Sequence, residues 1–354
     1  MTKKKKYNYK DLDLIIERSK LKDQIFQPSS FWSKASTKIK NELEQYGIHN
    51  FRNLKTCLGF FVPNYGIPAN SFNKEISNEI FSLLKQKGSL KQNLAMESFL
   101  NGYYHALSDY RVFISSQSNN GNLNTKDFSE SDFGKPVEQF EFEGKKFSRS
   151  ALNYLLGICF LKNHLDKNEK INTVLEIGGG FGTLGEILSF SENVKYINID
   201  IPPISFISWN YLKNIYQKNI NSIVKENNDK INIVDLNRCS VFNSWDIEKL
   251  NGKIDLFINF ISFQEMEPHI VQNYFKNIIR LNPNWILLRN IREGKRKKKS
   301  KNEHGVEIPI KSKDYIEMIE NKYKLIDKDV LQFGYKTSDG FHSELLLFKK
   351  IKIN

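Results

Sequence analysis

The sequence predicts an α/β fold in which a mainly helical N-terminal region precedes a domain built on a mostly parallel, seven-stranded sheet. Up to about residue 100, apolar residues recur three and four positions apart, as they do in helices. After Lys170, short apolar runs of strand length alternate with helical segments. Such alternation is typical of parallel strands whose connecting helices cover both faces of a sheet.

Seven runs are predicted as strands, and the last is expected to insert antiparallel. In chain order they are TVLEI (173–177), VKYINID (194–200), INIVDL (231–236), IDLFINF (254–260), NWILLRN (284–290), KYKLIDKDVL (322–331) and HSELLLFKK (342–350). Two segments between them have helical character, ISFISWNYLKNIYQ (204–217) and PHIVQNYFKNIIR (268–280). The order of these elements is that of a doubly wound domain.

A boundary near residue 147 divides the chain into residues 1–147 and 148–354. The first part contains a predicted loop over 59–72, punctuated by proline and glycine, and a small hairpin over 140–147 with a Glu-Gly turn. A helix is predicted over 148–166, where a serine at its start can cap the first turn. We expect the first part to cap the substrate or to form an oligomer contact, and the second to carry the chemistry.

Composition and charge limit the classes of function. The chain has 354 residues, of which 40% are hydrophobic and 13% aromatic, so it can form a sizeable core and wholesale disorder is excluded. Its formal net charge of +13 favours anionic partners: nucleic acid, phosphorylated or nucleotide-linked substrates, or an acidic membrane surface. No apolar run approaches the roughly 18 residues of a membrane span, and the N-terminus lacks a signal-peptide pattern. Three scattered cysteines fit a cytoplasmic protein.

A glycine-rich loop, LEIGGGFGTLG at residues 175–185, is the most informative segment. It follows a predicted strand and opens a predicted helix, which is the context in which such loops bind nucleoside cofactors. Glycine allows the backbone to turn sharply and a ligand to approach the main chain, and the following helix offers amides at its start. Asp200 ends the next predicted strand, where a carboxylate can accept hydrogen bonds from ribose hydroxyls.

Two cofactor classes fit this loop. Gly180, Gly182 and Gly185 match the dinucleotide fingerprint G-x-G-x-x-G, which keeps an NAD-dependent oxidoreductase as an alternative. The loop also resembles that of Rossmann-like methyltransferases, whose pattern acidic-x-G-x-G-x-G falls on Glu176, Gly178, Gly180 and Gly182. This resemblance implies S-adenosylmethionine as cofactor. Charge favours it, because Glu176 would repel a pyrophosphate but complements a sulfonium and an ammonium group.

Two further residues are assigned to the cofactor site. Asp235 closes the predicted third strand, where it lies near an adenine or simply caps a turn. Asn259 is near the end of the predicted fourth strand, and ligands of open α/β sheets bind at the carboxyl ends of strands. The predicted cofactor-binding set is therefore Glu176, Gly178, Gly180, Gly182, Asp200, Asp235 and Asn259.

Beyond the loop, the chain resembles a bacterial family of sugar O-methyltransferases. The resembling segments are Leu175–Leu188, Tyr196–Pro203, Ile254–Pro268 and Leu287–Asn290, with thinner similarity at Ser30-Phe31-Trp32 and around Tyr154–Gly157. The most distinctive pieces are DIPP after the second strand and SFQEM after the fourth. The resemblance implies methylation of a sugar hydroxyl in a surface polysaccharide or in a nucleotide-sugar precursor, with phosphorylated acceptors included.

Methyl transfer to a hydroxyl requires alignment of the reactants and benefits from a general base. Glu265, in the family-like Gln-Glu-Met segment, is the first candidate for the base, and His269 is the second. His269 follows Pro268, the predicted first residue of a helix, so it is alternatively an exposed first-turn residue. His304 and His342 are further candidates. No helix-spaced His-Glu pair or carboxylate cluster suggests a metal site, and none is predicted.

The basic run Lys295–Lys299 is interpreted as a solvated loop, with substrate phosphate or peripheral membrane contact as the alternative. Arg289 and Arg292 lie closer to the expected ligand edge of the sheet and are better phosphate candidates. The charge also suggests an RNA methyltransferase. However, the N-terminal region shows no RNA-binding module, so no specific nucleic-acid partner is expected. A non-catalytic adaptor is disfavoured because Glu176, the glycine loop and Asp200 are intact.

Overall fold

The part of the chain before residue 148 is mainly helical, as predicted. The computed structural model describes residues 6–29, 31–61, 74–223, 230–298, 305–334, 336 and 340–351. Its helices in this part are α1 (Lys10–Lys20), α2 (Ser33–Tyr46), α3 (Lys55–Phe61), α4 (Lys74–Lys87), α5 (Leu90–Leu100) and α6 (Tyr103–Ser115). The predicted loop over 59–72 begins inside α3, and its residues 62–72 lie outside the described ranges.

The predicted hairpin before residue 148 is confirmed. Strand β1 (Phe140–Phe142) pairs antiparallel with β2 (Lys145–Phe147). Glu143 and Gly144 form the turn, with φ values of 50° and 74°. Two consecutive residues with positive φ match the right-handed twist of a hairpin.

The remaining strands follow in the second part of the chain. They are β3 (Thr173–Ile177), β4 (Lys195–Asp200), β5 (Ile231–Asn232), β6 (Cys239–Asn243), β7 (Leu250–Asn251), β8 (Leu256–Phe260), β9 (Trp285–Ile291), β10 (Tyr323–Asp329) and β11 (Ser343–Lys350). Strands β5 and β7 pair only with each other, and the other seven form one sheet in the order β10-β11-β9-β8-β3-β4-β6. Strand β11 is antiparallel to both of its neighbours, and all other pairings in this sheet are parallel.

This sheet confirms the predicted fold class, a Rossmann-like α/β domain with a mostly parallel, seven-stranded sheet. The predicted antiparallel insertion of the last strand is confirmed as well. The chain builds outward from β3 to β4 and β6 on one side, then crosses back to β8 and β9 on the other. A crevice forms where the strand order reverses, outside the carboxyl ends of β3 and β8.

Helices cover both faces of the sheet. They are α7 (Arg149–Lys162), α8 (Thr183–Ser189), α9 (Ile204–Tyr216), α10 (Pro268–Leu281) and α11 (Ser312–Ile319). The side chain of Ser148 caps α7 by accepting a hydrogen bond from the Ala151 N–H at 3.1 Å. The helix ends at Lys162, four residues before the predicted end at Asp166. Within the described residues, no helix is long and apolar enough to cross a membrane.

The third strand of the large sheet is not the run predicted from the sequence. In INIVDL only Ile231–Asn232 is a strand, and Ile233–Asp235 forms a 3-10 turn with Val234 78% exposed. Strand β6, with the sequence CSVFN, takes the expected place, and all five of its residues are buried. Because the buried residues Ser240 and Asn243 are polar, hydrophobicity alone does not predict this strand. Asp235 consequently precedes the third strand instead of closing it.

One hydrophobic core continues across residue 147. Buried residues of α1 and α2, including Leu12 and Ile39, belong to the same cluster as Val174 of β3 and Leu212 of α9. The helices of the first part therefore pack directly on the sheet domain. The division into residues 1–147 and 148–354 remains a prediction.

A buried polar network also joins the two parts. Arg52 Nη2 lies 3.0 Å from Glu130 Oε1 and donates to the Tyr211 hydroxyl at 2.8 Å. Tyr211, on α9, in turn donates to Glu186 of α8. The side chains of Arg52 and Glu130 are only 7% and 0% exposed, so this ion pair is shielded from water.

Candidate functional site

The glycine loop between β3 and α8 lies at the crevice. Gly178, Gly180 and Gly182 have φ values of 69°, 58° and 89°, a region that side chains with a Cβ rarely adopt. A Cβ on Gly178 would stand 2.2 Å from Ser262 Oγ, so the loop also needs glycine for space. Gly182 faces away from the crevice, since its Cβ would meet Ser208 Oγ of α9 at 2.8 Å.

The N–H groups of four loop glycines donate hydrogen bonds to acceptors within the protein. For Gly178, Gly179, Gly180 and Gly182 the acceptors are, in that order, Ile199 O at 2.7 Å, Asn198 Oδ1 at 3.2 Å, Asp200 Oδ2 at 2.9 Å and Gly179 O at 2.9 Å. A pyrophosphate is normally held by free amides in such a loop. These four positions supply none.

Glu176 lies beneath the loop and is fully buried. It accepts hydrogen bonds from the Tyr154 hydroxyl at 2.7 Å and from the Tyr196 hydroxyl at 2.5 Å. Burial raises the pKa of Glu176 to about 7, although both hydroxyls counteract this rise. Both carboxylate oxygens are thus bound to tyrosines, and Glu176 lines neither of the two pockets described below. Its assignment to the cofactor site stays a prediction.

A first pocket opens between the glycine loop, the end of β4 and α10, with about 560 Å³ of empty space. It combines one carboxylate, Asp200, with an apolar wall formed by Ile199, Ile201, Ile204, Met266 and Ile270. Asp200 accepts the N–H groups of Gly180 and Ile201, but burial still raises its pKa to about 7. A carboxylate beside an apolar slot suits a ribose joined to a flat base.

A second pocket of about 920 Å³ adjoins the first. Trp32, Phe61, Gly178, Gly180 and Ser262 line both pockets. The second pocket is further lined by aromatic rings and by two charged residues, Glu265 and Arg289. Two ligands bound in these pockets would therefore meet at the glycine loop.

Glu265 ends the 3-10 turn that follows β8 and is held on three sides. Its Oε1 lies 3.1 Å from Lys295 Nζ, its Oε2 accepts from Trp32 Nε1 at 3.0 Å, and its carbonyl accepts from Ser29 Oγ at 3.0 Å. Burial raises the pKa of this carboxyl above its usual value, and Lys295 and Trp32 act in the opposite direction. The structure thus places Glu265 in the crevice as an oriented carboxylate.

The other predicted catalytic residues lie elsewhere. His269 is exposed in the first turn of α10 and lines neither pocket, so the alternative interpretation of this residue is the one observed. His342 pairs with Glu293 outside both pockets. His304 is outside the described residues. Among the described residues, no group of three or more His, Cys, Asp or Glu is arranged to hold a metal ion.

Two predicted cofactor residues also lie outside the pockets. Asp235 is exposed in the turn before β6, because the third strand begins later than predicted. Asn259 is fully buried in β8 and donates to Ile177 O at 2.9 Å, which fixes β8 against the base of the loop. Its Oδ1 accepts the Phe263 N–H at 3.2 Å. Asn259 therefore shapes the site from beneath.

The basic run is divided between two environments. Lys295 turns inward, with its Nζ 3.1 Å from Glu265 and 4.9 Å from the centre of the Phe31 ring. Lys298 pairs with the exposed Glu307 at 2.8 Å, as expected of a surface loop. Arg292 is neutralised by Glu344 at 2.9 Å. No signal in the sequence distinguishes Lys295 from its basic neighbours.

No protein-family model matches this sequence. No curated protein matches it either. Among solved structures, magnesium protoporphyrin IX methyltransferase from Synechocystis with bound SAM is 13% identical, with 57% of this chain and 79% of that chain covered and a TM-score of 0.37. A SAM-dependent methyltransferase from Clostridium acetobutylicum is 12% identical over 56% of this chain and 89% of that chain, with a TM-score of 0.36. The fold assignment rests on the strand order itself.

Proposed function

We propose that the protein is an S-adenosylmethionine-dependent O-methyltransferase. The observation that carries this proposal is the junction of two pockets at the glycine loop, with Asp200 in one and Glu265 in the other. In-line transfer requires the acceptor oxygen to approach the methyl carbon opposite the sulfur, so donor and acceptor must meet. The adjoining pockets offer that arrangement.

The chemistry of the first pocket favours this cofactor over a dinucleotide. Asp200 is available to accept hydrogen bonds from both ribose hydroxyls, and the isoleucine wall suits an adenine. The glycine N–H groups that would bind a pyrophosphate are already donated within the protein. When bound, the cofactor supplies an activated methyl group on a sulfonium and needs no such cradle.

Glu265 acts as the general base in this proposal. Lys295 and Trp32 hold its carboxylate at the rim of the second pocket, where it can accept the proton of the acceptor hydroxyl as the new oxygen–carbon bond forms. Both Lys295 and a neighbouring sulfonium favour the ionised form of Glu265. The hydrogen bond from Trp32 fixes the orientation of the carboxylate.

The acceptor is a sugar hydroxyl of a surface polysaccharide or of a nucleotide-sugar precursor. The resembling segments SFQEM and DIPP support this class, and they contribute Ser262, Glu265 and Ile201 to the pocket walls. The second pocket sets flat rings of Trp32 and Tyr154 beside polar groups. Such walls suit the mixed apolar and polar surface of a sugar.

Calorimetry tests the cofactor, with S-adenosylmethionine expected to bind and NAD not. NAD binding without S-adenosylmethionine binding would make the protein an oxidoreductase candidate.

Mass spectrometry of surface glycans and nucleotide sugars, with and without the gene, then tests the acceptor. We expect one methyl group to disappear from one sugar. An unchanged glycan and nucleotide-sugar profile, with cofactor binding intact, would refute the sugar acceptor.

A further inference from the structure

Arg289 brings a buried positive charge to the second pocket. It lies on β9, is 9% exposed, and lines this pocket beside Asn153 and Tyr154 of α7. Its Nε donates to Ser343 Oγ at 3.0 Å, and its guanidinium carbon lies 3.9 Å from the centre of the Phe333 ring. Both partners are uncharged.

No carboxylate forms an ion pair with Arg289 among the described residues. Asp109 is the acid that most favours its charged form, but Asp109 Oδ2 is 3.0 Å from Arg149 Nε. Burial lowers the pKa of Arg289 to about 10, so the guanidinium still carries its charge at neutral pH. A buried charge without a counterion is costly, and an anionic ligand would remove that cost.

Asn153 adds a neutral polar group to the same wall. It is half-buried, lines the pocket, and its side chain has no hydrogen-bond partner within the part of the chain that the structure describes. The Arg289 guanidinium and the Asn153 amide thus both bring N–H donors to the wall of this pocket. Planar oxyanions, above all carboxylates and phosphates, match such a set of donors.

We propose that Arg289 binds an oxyanion, a carboxylate or a phosphate, of a ligand in the second pocket. The inference rests on the proposed function, which supplies two sources for this chemistry. One is the amino-acid carboxylate of the cofactor, which would extend past the glycine loop. The other is an acidic group on the acceptor, such as a uronic acid or a sugar phosphate. In either case Arg289 positions the ligand whose other end reaches the loop or Glu265.

The test is calorimetry on the whole chain with five probes. S-adenosylhomocysteine and 5′-methylthioadenosine differ in the amino-acid group, so their comparison isolates that group, and the Arg289 variants then test its carboxylate. Glucuronate and glucose 6-phosphate, each compared with glucose, isolate an acidic acceptor and distinguish carboxylate from phosphate. These three sugars are titrated with S-adenosylhomocysteine present.

Arg289→Gln should weaken at least one acidic probe by about 10- to 100-fold, the usual effect of losing a charge-assisted hydrogen bond. Methylthioadenosine and glucose should be unaffected. Arg289→Lys keeps the charge but loses the planar, bidentate guanidinium, so its affinity for that probe should lie between those of the wild type and Arg289→Gln. Arg292→Gln is the matched control, because Arg292 is paired outside the pocket. Circular dichroism and thermal melting establish that each variant is folded.

Equal affinities of wild type and both Arg289 variants for every probe would overturn the inference, and so would wild type that binds none of the acids. Failure of the proposed function looks different. In that case neither S-adenosylhomocysteine nor methylthioadenosine binds even the wild type. The affinities of glucuronate and glucose 6-phosphate for wild type and variants still show whether Arg289 binds an acid.

Discussion

Trp32 donates its indole N–H to Glu265 Oε2 at 3.0 Å across 233 positions of sequence. Trp32 immediately precedes α2, in the helical part of the chain, whereas Glu265 follows β8 of the sheet. The orientation of the proposed base is thus set jointly by both parts. Because Trp32 lines both pockets, it also contributes to the wall where the two ligands would meet.

Glu265→Gln should lower kcat by about 100- to 10,000-fold, the usual contribution of general-base catalysis. The substitution keeps the shape of the side chain and removes its basicity. The affinity for S-adenosylmethionine should remain nearly unchanged, because Glu265 lines only the second pocket. Steady-state kinetics and calorimetry provide the two measurements.

His269→Ala is the control for this variant. His269 is exposed on α10, so we expect less than about a tenfold loss of kcat. Loss of turnover in His269→Ala with normal turnover in Glu265→Gln would reverse the assignment of the base.

Lys295→Met should move the acidic limb of the pH profile of kcat/KM to higher pH. Lys295 lowers the pKa of Glu265, so its removal raises that pKa. In the variant the carboxyl group therefore stays protonated, and unable to act as a base, up to a higher pH. Lys297→Ser, in the same basic run, should leave the profile unchanged. An unshifted limb in Lys295→Met would mean that another group acts as the base.

Binding of S-adenosylhomocysteine should strengthen as the pH rises through about 7. Burial raises the pKa of Asp200 to about 7, and only the ionised carboxylate accepts from both ribose hydroxyls. Asp200→Asn should bind more weakly by about 1.5–3 kcal/mol, with a flat pH dependence. Glu176→Gln controls for the second carboxyl whose pKa is about 7. This variant should retain the slope but at lower pH, because the charge of Glu176 helps to raise the pKa of Asp200. A slope that persists in Asp200→Asn would argue against Asp200 as the ribose ligand.

Gly157→Ala should destabilise the protein by about 1–3 kcal/mol through overpacking. A Cβ at Gly157, in α7, would lie 2.2 Å from the Phe260 ring, which is itself stacked on Tyr154 at 5.0 Å. Gly59→Ala, in α3, meets nothing within 4 Å and should instead stabilise its helix by up to about 1 kcal/mol. Urea unfolding measures both, and equal effects would contradict the packing argument.

Local pattern was sufficient to predict the strands around the crevice, the glycine loop and the position of Glu265. Those features depend on residues close together in sequence, such as β3 and the loop that follows it. Contacts between distant segments were not predictable: Trp32 and Lys295 meet Glu265 only through the tertiary fold. Asp235 was misassigned for a related reason, since β6 carries buried polar residues that interrupt its apolar run.

The buried Arg52–Glu130 pair has an evolutionary consequence. Both of its residues belong to the first part of the chain, whereas Tyr211 and Glu186, which complete the network, belong to the sheet domain. A sheet domain joined to a foreign helical region would leave Tyr211 without the Arg52 contact in an apolar setting, which costs stability. Exchange of whole modules between relatives is therefore a poor route to a new acceptor. New specificity is more readily acquired by point changes in the walls of the second pocket, at positions such as Asn153.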